Sequence, residues 1–251
     1  MARELSSITR MGLTEPFELQ VGRGQITGHV PVHKFGAVPT LSNNTTGTIW
    51  DVDDTIYPWA TWDSSGATII TLTRASDSDA GKIVRVEGLD AAGAPTFASV
   101  TLSAASGNAT TQTFTRVFRA YLTNGSNVGN IDIYNGATIV AKICAGLGQT
   151  LMAIYTVPTG YTGYVLQGTA SCQAAGDGTV NMFGRFPDSG VLPFRIAHTL
   201  EVSGPGGQYM YKFAFPLMIP AGTDLDIRAT TRTNNTRFTA AFDILLIKDS
   251  F

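Results

Sequence analysis

From Thr113 onward the chain alternates apolar and polar positions with period two. Phe114, Arg116, Phe118 and Ala120 interleave with Thr115, Val117, Arg119 and Tyr121. Asn124-Gly125 follows, then Ile131-Asp132-Ile133, a second Asn-Gly at Asn135-Gly136, and Thr138-Ile139-Val140-Ala141-Lys142-Ile143. Side chains on a strand point to opposite faces at each step, and Asn-Gly supplies the positive φ of a tight hairpin turn, so the pattern predicts hairpins. Further strands are predicted at Thr150–Val157, Gly163–Cys172, Thr179–Phe186, Leu192–Val202, Gln208–Phe215, Asp224–Thr231 and Arg237–Ile247. Pro158-Thr159-Gly160, Gly176-Asp177-Gly178, Gly204-Pro205-Gly206-Gly207 and Pro220-Ala221-Gly222 punctuate them. In the last strand Phe238, Ala240, Phe242, Ile244 and Leu246 form one face.

Upstream, strands are expected at Ala67–Thr73, Lys82–Glu87 and Phe97–Leu102, spaced for an antiparallel sandwich rather than for helical crossovers. Residues 1–48 read as an extended arm. Gly22, Gly24, Gly28, Pro31, Gly36 and Pro39 break every period, yet Phe17, Leu19, Val21, Ile26, Val32 and Phe35 are apolar and call for a surface to lie on. The fold class is therefore all-β: two antiparallel sandwich, jelly-roll-like units at 49–111 and 112–251, preceded by the arm. Strand order is not readable from these patterns.

Composition narrows the function. Charged residues make up 14% of the 251 residues, and the net charge is −2. Without a basic run there is no field for phosphates, which argues against nucleic acid as partner. No apolar window is long enough to span a membrane, and Met1 to Gln20 lacks the apolar core of a signal peptide. Asn44-Thr45-Thr46, Asn108-Ala109-Thr110 and Asn124-Gly125-Ser126 fit the glycosylation sequon, which without such a signal marks only exposed loops. Cys144 and Cys172 read as two reduced, mostly buried thiols, with a bridge between neighbouring strands as the alternative. A sparsely charged surface with sheet edges to cover suits a homo-oligomer, a trimer favoured.

Asp51-Val52-Asp53-Asp54-Thr55 matches the D-x-D-x-T motif of haloacid-dehalogenase-type phosphatases. That chemistry needs the motif at the end of a buried parallel strand. Here a polar Asn/Thr loop and Ile49-Trp50 precede it and Pro58 follows, so the expectation is an Asp-rich turn and no enzyme. Asp51, Asp53 and Asp54 are also a weak Ca²⁺ candidate, lacking the spacing of an EF-hand loop. His29 and His33 would share a helix face, but Gly28 and Pro31 make a helix improbable, so no metal is expected there. His198 falls within a strand and reads as a surface or edge residue. Gly22-Arg23-Gly24 and Gly146-Leu147-Gly148 neither follow a strand nor open a helix, so no nucleotide cofactor is implied. Trp50, Tyr57, Trp59 and Trp62 are either packing residues or a platform for sugar rings; the second would make a glycan-binding receptor-recognition module, with Trp59 and Trp62 at its tip.

Phe17-Glu18-Leu19-Gln20-Val21-Gly22-Arg23-Gly24-Gln25-Ile26-Thr27-Gly28-His29, with Val32-His33-Lys34-Phe35-Gly36 and Thr48-Ile49-Trp50, resembles the N-terminal region of structural proteins of tailed bacteriophages, especially of marine and aquatic hosts. Gly148–Pro158 and Pro220–Ala229 are similar to the same group, so the resemblance spans most of the chain. It implies a virion component assembled in the bacterial cytoplasm, with no enzymatic activity and no cofactor. The implied partners are the major capsid or neck and tail proteins. A capsid-decorating (cement) protein, clamped by an arm through Phe17, Leu19, Val21, Val32 and Phe35, is the first expectation. A head–tail connector, tail or fibre-attachment protein is the alternative.

Overall fold

The computed structural model describes residues 15–52, 54–173, 175–187, 193–204 and 208–250. In chain order the strands are β1 (His29–Leu41), β2 (Thr46–Thr48), β3 (Thr68–Arg74), β4 (Ile83–Leu89), β5 (Pro95–Thr101), β6 (Asn108–Phe114), β7 (Arg116–Leu122), β8 (Ile131–Asn135) and β9 (Thr138–Ile143). They continue as β10 (Ile154–Thr156), β11 (Tyr161–Cys172), β12 (Asp177–Arg185), β13 (Arg195–Ser203), β14 (Gln208–Ile219), β15 (Asp224–Thr231) and β16 (Thr236–Lys248). Among the described residues two short helices, α1 (Phe17–Gly22) and α2 (Trp59–Ser65), and one 3₁₀ turn at Asp77–Asp79 complete the regular elements. The chain is all-β, and every strand pairing is antiparallel.

Two sheets, β1-β16-β11-β14 and β10-β15-β12-β13, face each other across a core of Val38, Val165, Leu225, Phe238, Phe242 and Ile244. Apart from the β12–β13 hairpin, successive strands cross from one sheet to the other. That order is a jelly roll, which buries eight alternating faces in one core. A second core, with Ile70, Leu72, Val86, Phe114, Ile131 and Ile133, fills the space between β6-β3-β8-β9 and β5-β4-β7.

The second sandwich is spliced into an edge strand of the first. β2 pairs Thr46–Thr48 with Thr230–Arg228, and β10 pairs Ile154–Thr156 with Asp226–Asp224. Both therefore lie end to end along the same edge of β15. Between them Ile49 N–H donates to the Ile227 carbonyl at 2.8 Å and Ala153 N–H donates to the Ile49 carbonyl at 2.9 Å. One edge strand is thus cut at Ile49, residues 50–152 are inserted, and the strand resumes at Ala153. Gly36 of β1 lies against the splice. A Cβ there would come within 2.3 Å of the Ile49 oxygen and 2.4 Å of the Ala153 nitrogen.

This differs from the sequence division in two places. The boundary drawn at 111/112 falls inside β6, and β7 pairs with β4, β8 with β3 and β9 with β8, none of them with later strands. Thirteen residues of the expected arm are β1 itself, whose Val30 to Val38 run in register along β16 from Leu246 back to Phe238. The second Asn-Gly does form a hairpin, with Asn135 paired to Thr138 and Gly136 at φ +60°. The first does not: β7 and β8 lie in different sheets, and the Asn124 side-chain oxygen accepts from the Ile83 N–H at 2.6 Å.

Candidate functional site

The Asp51–Asp54 turn does not gather carboxylates. Asp51 is buried, and its Oδ2 accepts the Leu151 N–H at 2.7 Å. Asp54 turns instead to the Ser42 hydroxyl at 2.9 Å, and Asp53 lies outside the described residues. The turn sits on the splice between antiparallel strands, without the parallel strand end that phosphatase chemistry requires. Among the described residues no group of three His, Cys, Asp or Glu side chains could hold a metal ion. Burial raises the Asp51 carboxyl from 3.8 to about 7, opposed by the Leu151 hydrogen bond and by Lys142 and Arg237.

The four aromatic residues are interior. Trp50, Tyr57, Trp59 and Trp62 pack into the core of the inserted sandwich, Trp62 only 1% exposed. Trp62 Nε1–H donates to Tyr57 Oη at 2.8 Å, and the Tyr57 hydroxyl donates to the Val117 carbonyl at 2.9 Å. None presents a ring face to a sugar, which corrects the glycan expectation at these positions. A cleft of about 340 Å³ between the two sandwiches is lined by Phe97, Phe118, Tyr155 and Tyr161. It offers little more, because the Arg85 guanidinium lies 3.5 Å from the Phe97 ring centroid and Tyr155 is buried.

The junction carries a charge network that nothing in the sequence marked. Asp224 of β15 is buried and accepts Arg116 Nε–H at 3.0 Å, Arg116 Nη2–H at 3.1 Å, Arg185 Nε–H at 3.0 Å and the Thr156 hydroxyl at 2.6 Å. Asp63 of α2 takes the outer side of both guanidiniums. Beside it Asp226 accepts from Thr48, from Trp59 Nε1 and from Arg228 Nε, at 2.9, 2.9 and 2.8 Å. Burial raises the Asp226 carboxyl above its usual range, against the pull of Arg228 and these hydrogen bonds. Each charge is neutralised in place, so the network fastens the insert to the jelly roll rather than offering a reactive group.

The interface expected from residues 1–48 divides in three. Phe17 and Leu19 on α1 are half exposed, Phe35 points outward from β1, and Val32 turns inward onto the jelly-roll core. Val21, 4% exposed, is already buried in its own chain and presents no surface to a partner. Both cysteines are half-buried thiols. His198, on the edge strand β13, packs its ring against Tyr211 and Phe213 at 4.3 and 5.3 Å, and its buried Nε2 has no hydrogen-bond partner. His33 Nδ1 pairs with Asp243 Oδ1 across the strands.

The surface feature that stands out is β14, the edge of its sheet. Met210, Phe215 and Met218 are exposed along it, Phe215 by 89%, with Ile196 exposed on the neighbouring β13. Between the pairs Val165–Leu217 and Gln167–Lys212 only Leu166 stands opposite four residues of β14, so Phe213-Ala214-Phe215-Pro216 bulge from the edge. Pro216 has no N–H to give to a ladder, and an unpaired apolar edge is a template for another protein surface. The sequence held a signal for this: a proline inside an apolar run demotes the run to an edge or a bulge.

No family model matches the chain, and no curated protein matches it. Among solved structures it is similar to a chain of the cowpea mosaic virus top component, naturally occurring empty particles, at 14% identity over 70% of this chain and 80% of that one, TM-score 0.22. It is also similar to a chain of the infectious bursal disease virus Gx strain, at 9% identity over 88% and 72%, TM-score 0.22. Likenesses this remote carry nothing about what the chain does.

Proposed function

We propose that the chain is a non-enzymatic virion structural protein of the tailed-bacteriophage kind its sequence resembles, attached to the capsid as a decorating protein. The observation that carries the assembly part is the exposed apolar edge of β14 with its Phe215 bulge. An apolar strand edge left open in a sparsely charged protein invites pairing with another chain, and burying it in a lattice removes that hazard. The jelly roll suits shell proteins but also hosts other functions, so the fold alone assigns none. Fully neutralised buried charges at the junction and a splice turn without converging carboxylates support a rigid building block over a catalyst. The partners would be major capsid subunits, and the location the virion, after assembly in the host cytoplasm.

A neck, tail or fibre-attachment position is the second reading. It is favoured by the inserted sandwich, which one edge of the jelly roll presents as a separate unit. Quantitative mass spectrometry of purified particles separates the two. Hundreds of copies with lattice density in cryo-EM support decoration, about a dozen or fewer support the neck or tail, and absence from particles overturns both.

A further inference from the structure

Apart from α1 at its β1 side, no described element covers the outer face of the β1-β16-β11-β14 sheet, and its cross-strand rows can be read from the register. One row is apolar, Pro31–Leu245–Tyr164–Met218. The next is polar, His33–Asp243–Gln167–Lys212. The third is Phe35–Ala241–Thr169–Met210. Helix α1 stands at the β1 side and the β14 bulge at the other, leaving a groove of about 610 Å³ whose apolar lining includes Phe17, Pro31, Leu166, Leu245 and Pro216. The polar row is satisfied within the chain on three of its members: Asp243 takes His33 on one oxygen and Gln167 Nε2–H at 2.6 Å on the other. The charges left for an occupant to meet are therefore Lys212, the fourth member of the row, and Glu18 on the α1 wall.

We infer that the occupant of this groove is the Phe215 bulge of a second copy of the same chain. This rests on the assembly reading and names its first partner. Three observations select a second copy. The bulge is both an apolar knob and one wall of the groove, so each copy brings a knob and a hole side by side on one face. The groove carries a carboxylate at its α1 wall, Glu18, and an ammonium at its β14 wall, Lys212, so a neighbour's β14 entering toward α1 sets unlike charges together. The net charge of −2 offers little repulsion between copies. Knob and hole lying side by side on one face engage reciprocally when two copies meet about a two-fold axis, an isologous contact that closes at a dimer.

The test uses the full chain. Light scattering is expected to give a mass twice the chain's 26.6 kDa. Phe215→Asp, at a solvent-facing position, is expected to keep the melting temperature and raise the dissociation constant at least ~30-fold, the loss of a central apolar anchor. The double variant Phe215→Cys/Pro31→Cys is expected to give a disulfide-linked dimer on a non-reducing gel, where each single variant does not. A Phe215→Asp oligomer as tight as the wild type overturns the inference while leaving assembly intact. A wild type that stays monomeric at high micromolar concentration also overturns it. Particle binding by wild type and Phe215→Asp then decides the assembly reading separately: loss in the variant makes the bulge's partner another virion protein.

Discussion

Two buried ionisable side chains set how stability responds to pH. Asp51 rises from 3.8 to about 7 through burial. Its proton is held longer in the folded chain, so the stability it lends is complete below its unfolded value and lost as pH climbs through about 7. Lys34, buried on β1 with its ammonium donating to the Phe118 carbonyl, falls from 10.5 to about 7 through burial, with Arg119 adding to the fall. Its contribution is present above its unfolded value and lost as pH drops through about 7. The two slopes meet, predicting a local minimum of stability near neutral pH, and Asp132 and Asp226, both raised by burial, deepen the acid-side slope. Urea midpoints at pH 5, 7 and 9 check this. Asp51→Asn, which keeps an acceptor for Leu151, is expected to add about 1–2 kcal/mol at pH 8 and nothing near pH 4. Parallel curves for the two proteins would locate the pH dependence elsewhere. Gly36→Ala is expected to cost about 2–3 kcal/mol, because the added methyl meets two backbone atoms at the splice rather than a yielding side chain.

At the level of elements, the Asp224 network and the β14 bulge behave oppositely under mutation. Asp224→Ala leaves Arg116 and Arg185 buried with Asp63 as their remaining shared carboxylate, so a loss of about 3–5 kcal/mol is expected. A loss below about 1 kcal/mol in urea unfolding would mean that solvent already satisfies the guanidiniums. Most elements were legible from alternation, and Asn135-Gly136 from its turn chemistry. What escaped has local causes. Trp59–Ser65 is about two helical turns, too short for a period to register, and Phe17–Gly22 is shorter still. Asp224 and Asp226 look in sequence like polar positions of an ordinary alternating strand, and only Arg116 and Arg185 arriving at Asp224 from β7 and β12, and Thr48 and Trp59 arriving at Asp226, make them a network. Tyr209 to Phe213 look like a buried strand, whereas Pro216 carried the evidence of an edge.

The architecture of the whole chain was not legible, because its defining contacts are remote in sequence. The partner of His33 is Asp243, 210 residues later. No composition shift marks residues 50–152 as an insert, since both sandwiches are written in the same alternating code, and a boundary at 111 looked as good as any. The insert is contiguous and has its own core, so residues 50–152 alone are expected to give a folded β protein with a cooperative thermal transition by circular dichroism. A disordered spectrum would mean that its sandwich stands only when fastened to the jelly roll.

The pairing of β1 with β16 also fixes an order of birth. A ribosome delivers β1 long before the strand that covers it, while the complete insert emerges in between and can fold as it appears. β1 waits, open-edged, until β16 slots between it and β11. Synthesis that stops short of β16 adds raw edges on β1 and β11 to the open edge of β14, and such a chain lacks the middle of the face through which copies are proposed to meet. β16 is thus the strand that decides whether a copy can join an assembly, so chains that stop short of it are excluded by construction rather than by a separate checkpoint.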